Sequence, residues 1–245
     1  MLALIGGTGF QDPNVFTPEE EITIDTPYGA PSAPLLYGKL RGMDCVFLRR
    51  HGVKHEYAPH RVPYRANLWA LQRANVDGVI AVATVGGIHD ALGPGALAVP
   101  DQLIDHTWGR EGTYFDDFSV TGVRHIDFTH PFDESLRQRL LVAAARTQTT
   151  ALDHGVYVTT QGPRLETAAE VESYRREGGD MIGMTLSPEA ALARELDLPY
   201  AALCVSVNYA AGIKLSAQGI DFASLDVVIQ EGVARAVGVV AEALR

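Results

Sequence analysis

The stretch VIAVA at residues 79–83, with TVGG directly after it at 84–87, decides the fold. A short, continuous apolar run of this kind is typical of a strand that is buried on both faces of a sheet. Similar runs recur along the chain at residues 2–5, 22–25, 45–48, 155–159, 181–182 and 200–207. Segments with a helical period separate several of these runs, which predicts an α/β fold.

Two segments carry helix signals. Ser187 and Pro188 precede a periodic segment at 189–196, so we expect the serine hydroxyl to cap a helix whose first residue is the proline. Residues 224–245 place apolar side chains at helical spacing, which predicts a long C-terminal helix on the sheet. We found no linker and no internal repeat, and therefore expect a single domain over residues 1–245.

The composition excludes several kinds of partner. The chain has 245 residues and a net charge of −10, from 20 Lys and Arg against 30 Asp and Glu. Because no basic cluster is present, neither nucleic acid nor an anionic membrane is an expected partner. The longest uncharged stretch, 198–213, is shorter than the ~17 residues of a spanning helix. Cys45 and Cys204 lie in apolar segments, as buried thiols do in a reducing compartment, so we predict a cytoplasmic protein.

The metal and cofactor motifs are incomplete. GGTG at 6–9 follows a strand, but Asp12 stands where a dinucleotide fingerprint has its third glycine and would repel a pyrophosphate. Neither a G-x-x-x-x-G-K-[ST] loop nor a G-x-S-x-G elbow is present. His55 and His60 lack the spacing of a zinc-binding helix, which Pro59 would also interrupt. We therefore expect no metal and no organic cofactor.

Four short loops carry groups that bind oxyanions. They lie at residues 6–9, 49–52, 84–87 and 183–185, each after an apolar run. In an α/β sheet the carboxyl ends of the strands could gather such loops. Threonine hydroxyls and backbone N–H groups would donate to a small anion such as phosphate, while Arg50 and His51 would bring charge. Singly, each feature has an ordinary alternative: a tight turn, a capping hydroxyl, a surface salt bridge of Arg50 or a core role for His51.

Together with these loops, longer stretches make the chain similar to the trimeric purine nucleoside phosphorylases. The matching stretches are LIGGTG (4–9), RHG (50–52) with His55, YRANLWAL (64–71), GGI (86–88), TQGPRLET (160–167), GMT (183–185) with PE (188–189), and VN (207–208). The resemblance covers nearly the whole chain and lies in the branch that contains 5'-methylthioadenosine and S-methyl-5'-thioinosine phosphorylases. It implies the nucleoside phosphorylase fold, in which helices flank a central mixed twisted sheet. It also implies a homotrimer that uses no cofactor and takes inorganic phosphate as a co-substrate.

The resemblance assigns roles by position in these motifs. It implies that phosphate attacks C1' of a purine nucleoside and that the purine leaves, with charge developing on sugar and base. The implied phosphate-binding residues are Thr8, Arg50, His51, Thr84 and Thr185. The implied catalytic residues are Asn208, Glu166 and His51. Met184 is implied to lie against the ribose.

Glu166 and Asn208 would select the base. In the family, this pair goes with 6-oxopurines, whereas adenine-specific relatives carry aspartates where this chain has Asn208 and Ala210. His125 resembles a residue that reaches the site of a neighbouring subunit. Ile220 and Phe222 are candidate apolar contacts for a 5'-methylthio group, with core packing as the alternative.

The whole pattern is most similar to enzymes that cleave S-methyl-5'-thioinosine to hypoxanthine and 5-methylthioribose 1-phosphate. Two related activities stay open, those of a methylthioadenosine phosphorylase and a general 6-oxopurine nucleoside phosphorylase. A purine nucleoside binding protein without catalysis and a nucleosidase that uses water are the alternatives from other classes.

Overall fold

The computed structural model describes residues 1–7, 10 and 15–245, with the backbone alone at residues 223 and 224. Within these residues, eleven strands form one sheet. The strands are β1 (Leu2–Gly6), β2 (Phe16–Ile22), β3 (Leu35–Leu40), β4 (Met43–Arg49), β5 (Gly78–Gly87), β6 (Leu97–Val99), β7 (Gln102–Asp105), β8 (Ala151–Asp153), β9 (Val156–Thr159), β10 (Met181–Gly183) and β11 (Tyr200–Tyr209).

The sheet is mixed and is centred on β5. The strand order is β2-β3-β4-β1-β5-β10-β9-β7, while β11 lies beside β5 and leads on to β6 and β8. β5 runs parallel to β1 and β11 but antiparallel to β10. The run at residues 79–83 that decides the fold is thus the middle of the sheet, and the mixed α/β fold is confirmed.

Alternate residues of β5 face two layers of helices, as the two-residue repeat of a strand requires. Val79 belongs to one buried cluster with Leu68, and Ile80 belongs to another with Val237. The helices are α1 (Tyr64–Arg73), α2 (Phe118–Thr121), α3 (Glu134–Arg146), α4 (Ala168–Arg176), α5 (Leu186–Glu195) and α6 (Phe222–Ala243). α1 and α5 cover the first face, while α3 and α6 cover the second.

The long C-terminal helix is confirmed. α6 begins two residues before the expected start and ends two before the expected end. Val233, Val237 and Val240 are buried against the sheet, at the spacing that predicted this face. In the part of the chain that the structure describes, no helix is both long and apolar enough to cross a membrane.

Two local predictions are wrong. The strand expected at 22–25 lies at Phe16–Ile22 instead, where only Phe16 is buried. An edge strand such as β2 has one neighbour and a solvated side, so it carries no apolar run to detect. The Ser187 hydroxyl does not cap α5 and instead donates to the Asp105 carboxylate, a charged acceptor. Ser187 is extended, with φ −113° and ψ 133°, and the regular turns begin at Pro188.

Candidate active site

The candidate site lies at an interruption along one edge of β5. β11 pairs with residues 79–87 on the other edge. On the interrupted edge, β1 pairs with residues 78–81 and β10 pairs with residues 86 and 87. β1 and β10 run in opposite directions, so their carboxyl ends face each other across residues 82–85. We call this interruption the β5 opening.

The β5 opening corrects one expectation about the oxyanion loops. We expected all four loops at the carboxyl ends of strands. That is wrong for residues 84–87, which lie within β5, whereas the loop after β10 does follow a carboxyl end and approaches from the opposite side. The loops still converge, because β5 extends past the end of β1 and because the carboxyl end of β10 points toward the carboxyl end of β1.

Thr84 is exposed although it lies in the central strand. On the same face of β5, Val82 belongs to the core under α3 and α6. Ile88, just past the strand, belongs to a small cluster with Val171 of α4. Thr84 lies between these two packed regions and is covered by neither, so the threonine hydroxyl is available to a ligand.

Arg50 closes part of the opening from the end of β4. The side chain is 2% exposed. Its Nε and Nη2 donate to the Glu189 carboxylate, each at 2.8 Å, and its Nη1 donates to the Val82 carbonyl at 2.9 Å. The guanidinium thus replaces the strand that is missing beside Val82. A guanidinium has five N–H donors, and the remaining two make no hydrogen bond to any described residue.

The charge of Arg50 is balanced inside the protein. Glu189 is fully buried and also accepts a hydrogen bond from the Tyr200 hydroxyl at 2.7 Å. Burial lowers the pKa of Arg50, but the charge and hydrogen bonds of Glu189 outweigh it and hold the pKa above its usual value. Burial, and then the Glu189 charge, raise the pKa of Tyr200. Arg50 therefore brings fixed donors to the opening but no unbalanced charge.

His51 is a neutral imidazole. Burial, and then the positive charge of Arg50, lower the pKa of His51 to about 4. Its Nδ1 lies 2.9 Å from the Tyr57 carbonyl, which can only accept, so Nδ1 carries the proton and Nε2 keeps its lone pair. The His55 ring stacks on it at 4.6 Å. A Cβ on Gly7 would lie 3.9 Å from the ring, which places His51 beside the loop after β1.

Met184 and Thr185 lie across the opening, after β10. Thr185 is 7% exposed, and its side chain makes no capping bond to α5. Its backbone N–H donates to the Tyr157 hydroxyl at 3.4 Å. Met184 lies so close to Gly162 that a Cβ there would be 2.5 Å from its sulfur. Thr8, the remaining predicted phosphate ligand, lies outside the described residues.

Glu166 is anchored beside β10. The Thr160 hydroxyl donates to Oε1 of Glu166 at 2.7 Å. The Thr160 backbone N–H donates in turn to the Gly183 carbonyl at 2.9 Å. This bond fixes the orientation of the carboxylate, and Glu166 stays partly exposed.

Asn208 lies at a bulge in β11. The pairing with β5 shifts between Ser206 and Asn208, after which Asn208 lies opposite Gly86. Gly86 also pairs with Ile182 of β10, so these residues form one row across three strands. The Asn208 carboxamide donates to the Tyr209 carbonyl and is partly exposed. The bulge thus brings a polar side chain to the row next to the opening.

Three predicted residues stand apart from this group. His125 is exposed, and its ring meets Phe118 edge-on at 6.2 Å. Phe222 is 68% exposed, and Ile220 is partly buried. Among the described contacts, none joins these side chains to Thr84 or Met184. One copy of the chain therefore gathers the anion-binding and base-binding candidates but not the candidates for the 5' end.

Sequence reasoning assigned no role to Glu189, Tyr200 or Arg110. Pro188-Glu189 matches a family stretch, yet nothing in it shows that the carboxylate is buried against Arg50. Arg110 lies in an aperiodic segment rich in aromatic residues, and it donates to four backbone carbonyls. Backbone carbonyl acceptors leave no sequence pattern that could have identified this arginine.

The comparisons with known proteins decide the family. The model of the phosphorylase superfamily matches residues 2–245. The chain belongs to the phosphorylase superfamily. A probable S-methyl-5'-thioinosine phosphorylase of Pseudomonas syringae pv. tomato is 45% identical over 242 residues, which cover 99% of this chain and 97% of the relative. An S-methyl-5'-thioadenosine phosphorylase of Mycolicibacterium smegmatis is 44% identical over 216 residues, which cover 88% and 79%.

A solved structure of another phosphorylase has the same fold as this chain. It is a mutant adenosine/methylthioadenosine phosphorylase from Schistosoma mansoni in complex with methylthioadenosine. It matches with a TM-score of 0.90 at 32% identity, covering 99% of this chain and 90% of that chain. The family resemblance is thereby confirmed. The names of the relatives specify different bases, so the residues expected to contact the base matter for the choice of substrate.

Proposed function

We propose that the chain catalyses phosphorolysis of S-methyl-5'-thioinosine, releasing hypoxanthine and 5-methylthioribose 1-phosphate. The observation that carries the proposal is the β5 opening, which has Thr84, Thr185 and His51 around it and Glu166 and Asn208 at one end. Membership of the phosphorylase superfamily and the relative from Pseudomonas syringae support the same reaction.

In this proposal, phosphate binds in the β5 opening beneath the sugar. The hydroxyls of Thr84 and Thr185, together with the two remaining N–H groups of Arg50, donate to its oxygens. Neutral His51 accepts from a protonated phosphate oxygen through Nε2. Phosphate oxygen then bonds to C1' as the C1'–N9 bond breaks, and the N9 electron pair stays with the purine. The anion stabilises the positive charge that develops on the sugar.

Glu166 and Asn208 select the base. The Glu166 carboxylate accepts the N1–H of a 6-oxopurine, and the Asn208 amide serves O6 and N7, where charge grows as the base leaves. Adenine has an unprotonated N1, which would face the carboxylate without a hydrogen. Buried polar groups left unpaired in this way can separate two substrates by ~10⁴-fold. The Thr160 hydroxyl supports this role because it fixes the orientation of the Glu166 carboxylate.

The 5' end of the nucleoside needs a second copy of the chain. We propose a homotrimer, in which His125 of one copy completes the site of the next, and Ile220 and Phe222 contact the methylthio group. The large exposed apolar side chains support an interface there, with Val123 70% exposed and Phe222 68% exposed. We place the enzyme in the cytoplasm, where the buried, free cysteines Cys45 and Cys204 stay reduced. The reaction uses inorganic phosphate and neither metal nor organic cofactor.

One assay tests the proposal. Release of free base is measured with methylthioinosine, methylthioadenosine and inosine, each with and without phosphate, in buffer containing EDTA. We expect the highest kcat/KM for methylthioinosine, no release without phosphate and no effect of EDTA. Faster turnover of either other nucleoside would assign the enzyme to that substrate. Release that does not need phosphate would show a nucleosidase, and thermal stabilisation by nucleoside without any release would show a binding protein.

A further inference from the structure

Arg110 joins the two loops that carry the site. It lies between β7 and α2 and is partly buried. Its Nη1 donates to the carbonyls of Met184 and Ser187 at 2.8 and 2.7 Å. Its Nη2 donates to the carbonyls of Thr160 and Gln161 at 3.1 and 3.0 Å. One guanidinium therefore bridges the loop after β9 and the loop after β10.

The two loops have different tasks in the proposed reaction. The loop after β9 leads to Glu166, which would bind the base and is held by the Thr160 hydroxyl. The loop after β10 carries Met184 and Thr185, which would bind the sugar and the phosphate. Beyond the strand ends, Arg110 binds the backbone of both. Its position therefore sets the distance between the base end and the anion end of the site.

The bonding of Arg110 suits an arginine only. Each Nη atom has two hydrogens and two carbonyl acceptors, and Nε lies 3.4 Å from the side-chain oxygen of Gln161. The guanidinium also lies over the Tyr64 ring at 5.6 Å. No described ion pair includes Arg110, so its partners are carbonyl dipoles, this ring and the Tyr64 hydroxyl, which lies 3.4 Å from Nη1. A lysine has three donors on one atom and cannot span two pairs of carbonyls in a fixed plane.

We propose that Arg110 is a positioning residue, which holds the base loop and the phosphate loop at the separation that the reaction needs. This rests on the proposed function, in which the nucleoside spans both loops. Of these two loops, only the loop after β9 would contact the base and only the loop after β10 would contact the phosphate, so loss of the bridge affects the alignment of the two ligands more than the affinity for either. A misplacement of about 1 Å costs on the order of 10²-fold in rate.

The test compares Arg110→Met with Arg137→Met. Arg137 is the control for loss of a guanidinium away from the site: it is 1% exposed and donates to the backbone carbonyls of Val99 and Pro100, and it also pairs with Glu134 and Asp153. We expect Arg110→Met to lower kcat about 100-fold, while the separately measured Kd values for phosphate and for hypoxanthine change less than about threefold. On a logarithmic scale, the kcat of Arg110→Lys should lie closer to that of Arg110→Met than to that of the wild type. Arg137→Met should lower the Tm and leave kcat within about threefold.

Two results would overturn the positioning role. One is an Arg110→Met enzyme that loses thermal stability as the control does and keeps its kcat. The other is an increase in the Kd of Arg110→Met for hypoxanthine by the same factor as the fall in kcat, since Arg110 would then act on binding itself. Rates are taken with whichever nucleoside the wild-type enzyme cleaves fastest. A different preferred nucleoside would therefore refute the proposed substrate and leave the comparison of variants intact.

Discussion

Replacing Glu189 by glutamine tests how strongly burial controls the Arg50 ion pair. Glu189 is fully buried, Arg50 is 2% exposed, and two bonds of 2.8 Å join them. The Glu189→Gln side chain can still accept from the Tyr200 hydroxyl, but it removes the charge and leaves the guanidinium unpaired. Breaking a buried pair in this way costs about 3–5 kcal/mol. For a chain of 245 residues, a loss of 1 kcal/mol corresponds to a Tm change of about 2–4 °C.

Burial, rather than bond length, should decide the result. The pair of Glu172 and Arg175 on α4 has a bond of the same 2.8 Å, but its side chains are 37% and 55% exposed. Glu172→Gln is therefore the control with the same bond length at an exposed site, and its expected loss of stability is far smaller than that of Glu189→Gln. The free energy of unfolding is measured by urea denaturation of both variants, and the Tm by calorimetry.

A double variant separates the ion pair from the surrounding packing. We expect Arg50→Met combined with Glu189→Gln to be more stable than Glu189→Gln alone, because no unpaired charge is then buried. Equal losses in Glu189→Gln and Glu172→Gln would refute the reasoning. So would a double variant whose losses are simply additive.

Three further outcomes follow from the same site. Between pH 6.5 and about 4, wild-type stability should fall with decreasing pH more steeply than that of His51→Gln, because unfolded His51 takes up a proton that the folded ring does not; urea denaturation across this range measures both slopes. Asn208→Asp should raise the ratio of kcat/KM for methylthioadenosine over methylthioinosine at least about tenfold, and an unchanged ratio would remove Asn208 from base selection. Gly162→Ala should raise the nucleoside KM by displacing Met184, whereas Gly29→Ala, also at positive φ but with no atom within 4 Å, should cost only stability in thermal unfolding.

The sequence predicts the centre of the fold better than its edges. The apolar run at 79–83 identifies β5, and the helical spacing after residue 224 identifies α6, because both elements are buried and must carry apolar side chains. The predicted position of β2 is wrong because only one residue of this edge strand is buried, so the sequence shows no apolar run there. Apolar patterns in the sequence reflect burial, so they do not identify elements that are mostly exposed.

The site is predicted as a set of residues but not as a geometry. Arg50 and Glu189 are 139 positions apart, and no local pattern shows that the arginine is neutralised by a distant carboxylate. The same applies to Arg110, whose partners are backbone carbonyls that every residue possesses. The run at 181–182 indicates β10 itself, but its antiparallel direction cannot be predicted, since strand direction depends on the path of the chain between strands.

The β5 opening divides the pocket into a fixed floor and adjustable walls. β11 pairs with residues 79–87 of β5, so β5 cannot shift without breaking backbone hydrogen bonds in the middle of the sheet. The walls are loops tied by single side chains, and they can change without that penalty. Within this architecture, new nucleoside preferences should arise by substitution in the loops and at the bulge of β11, while the paired length of β5 stays constant.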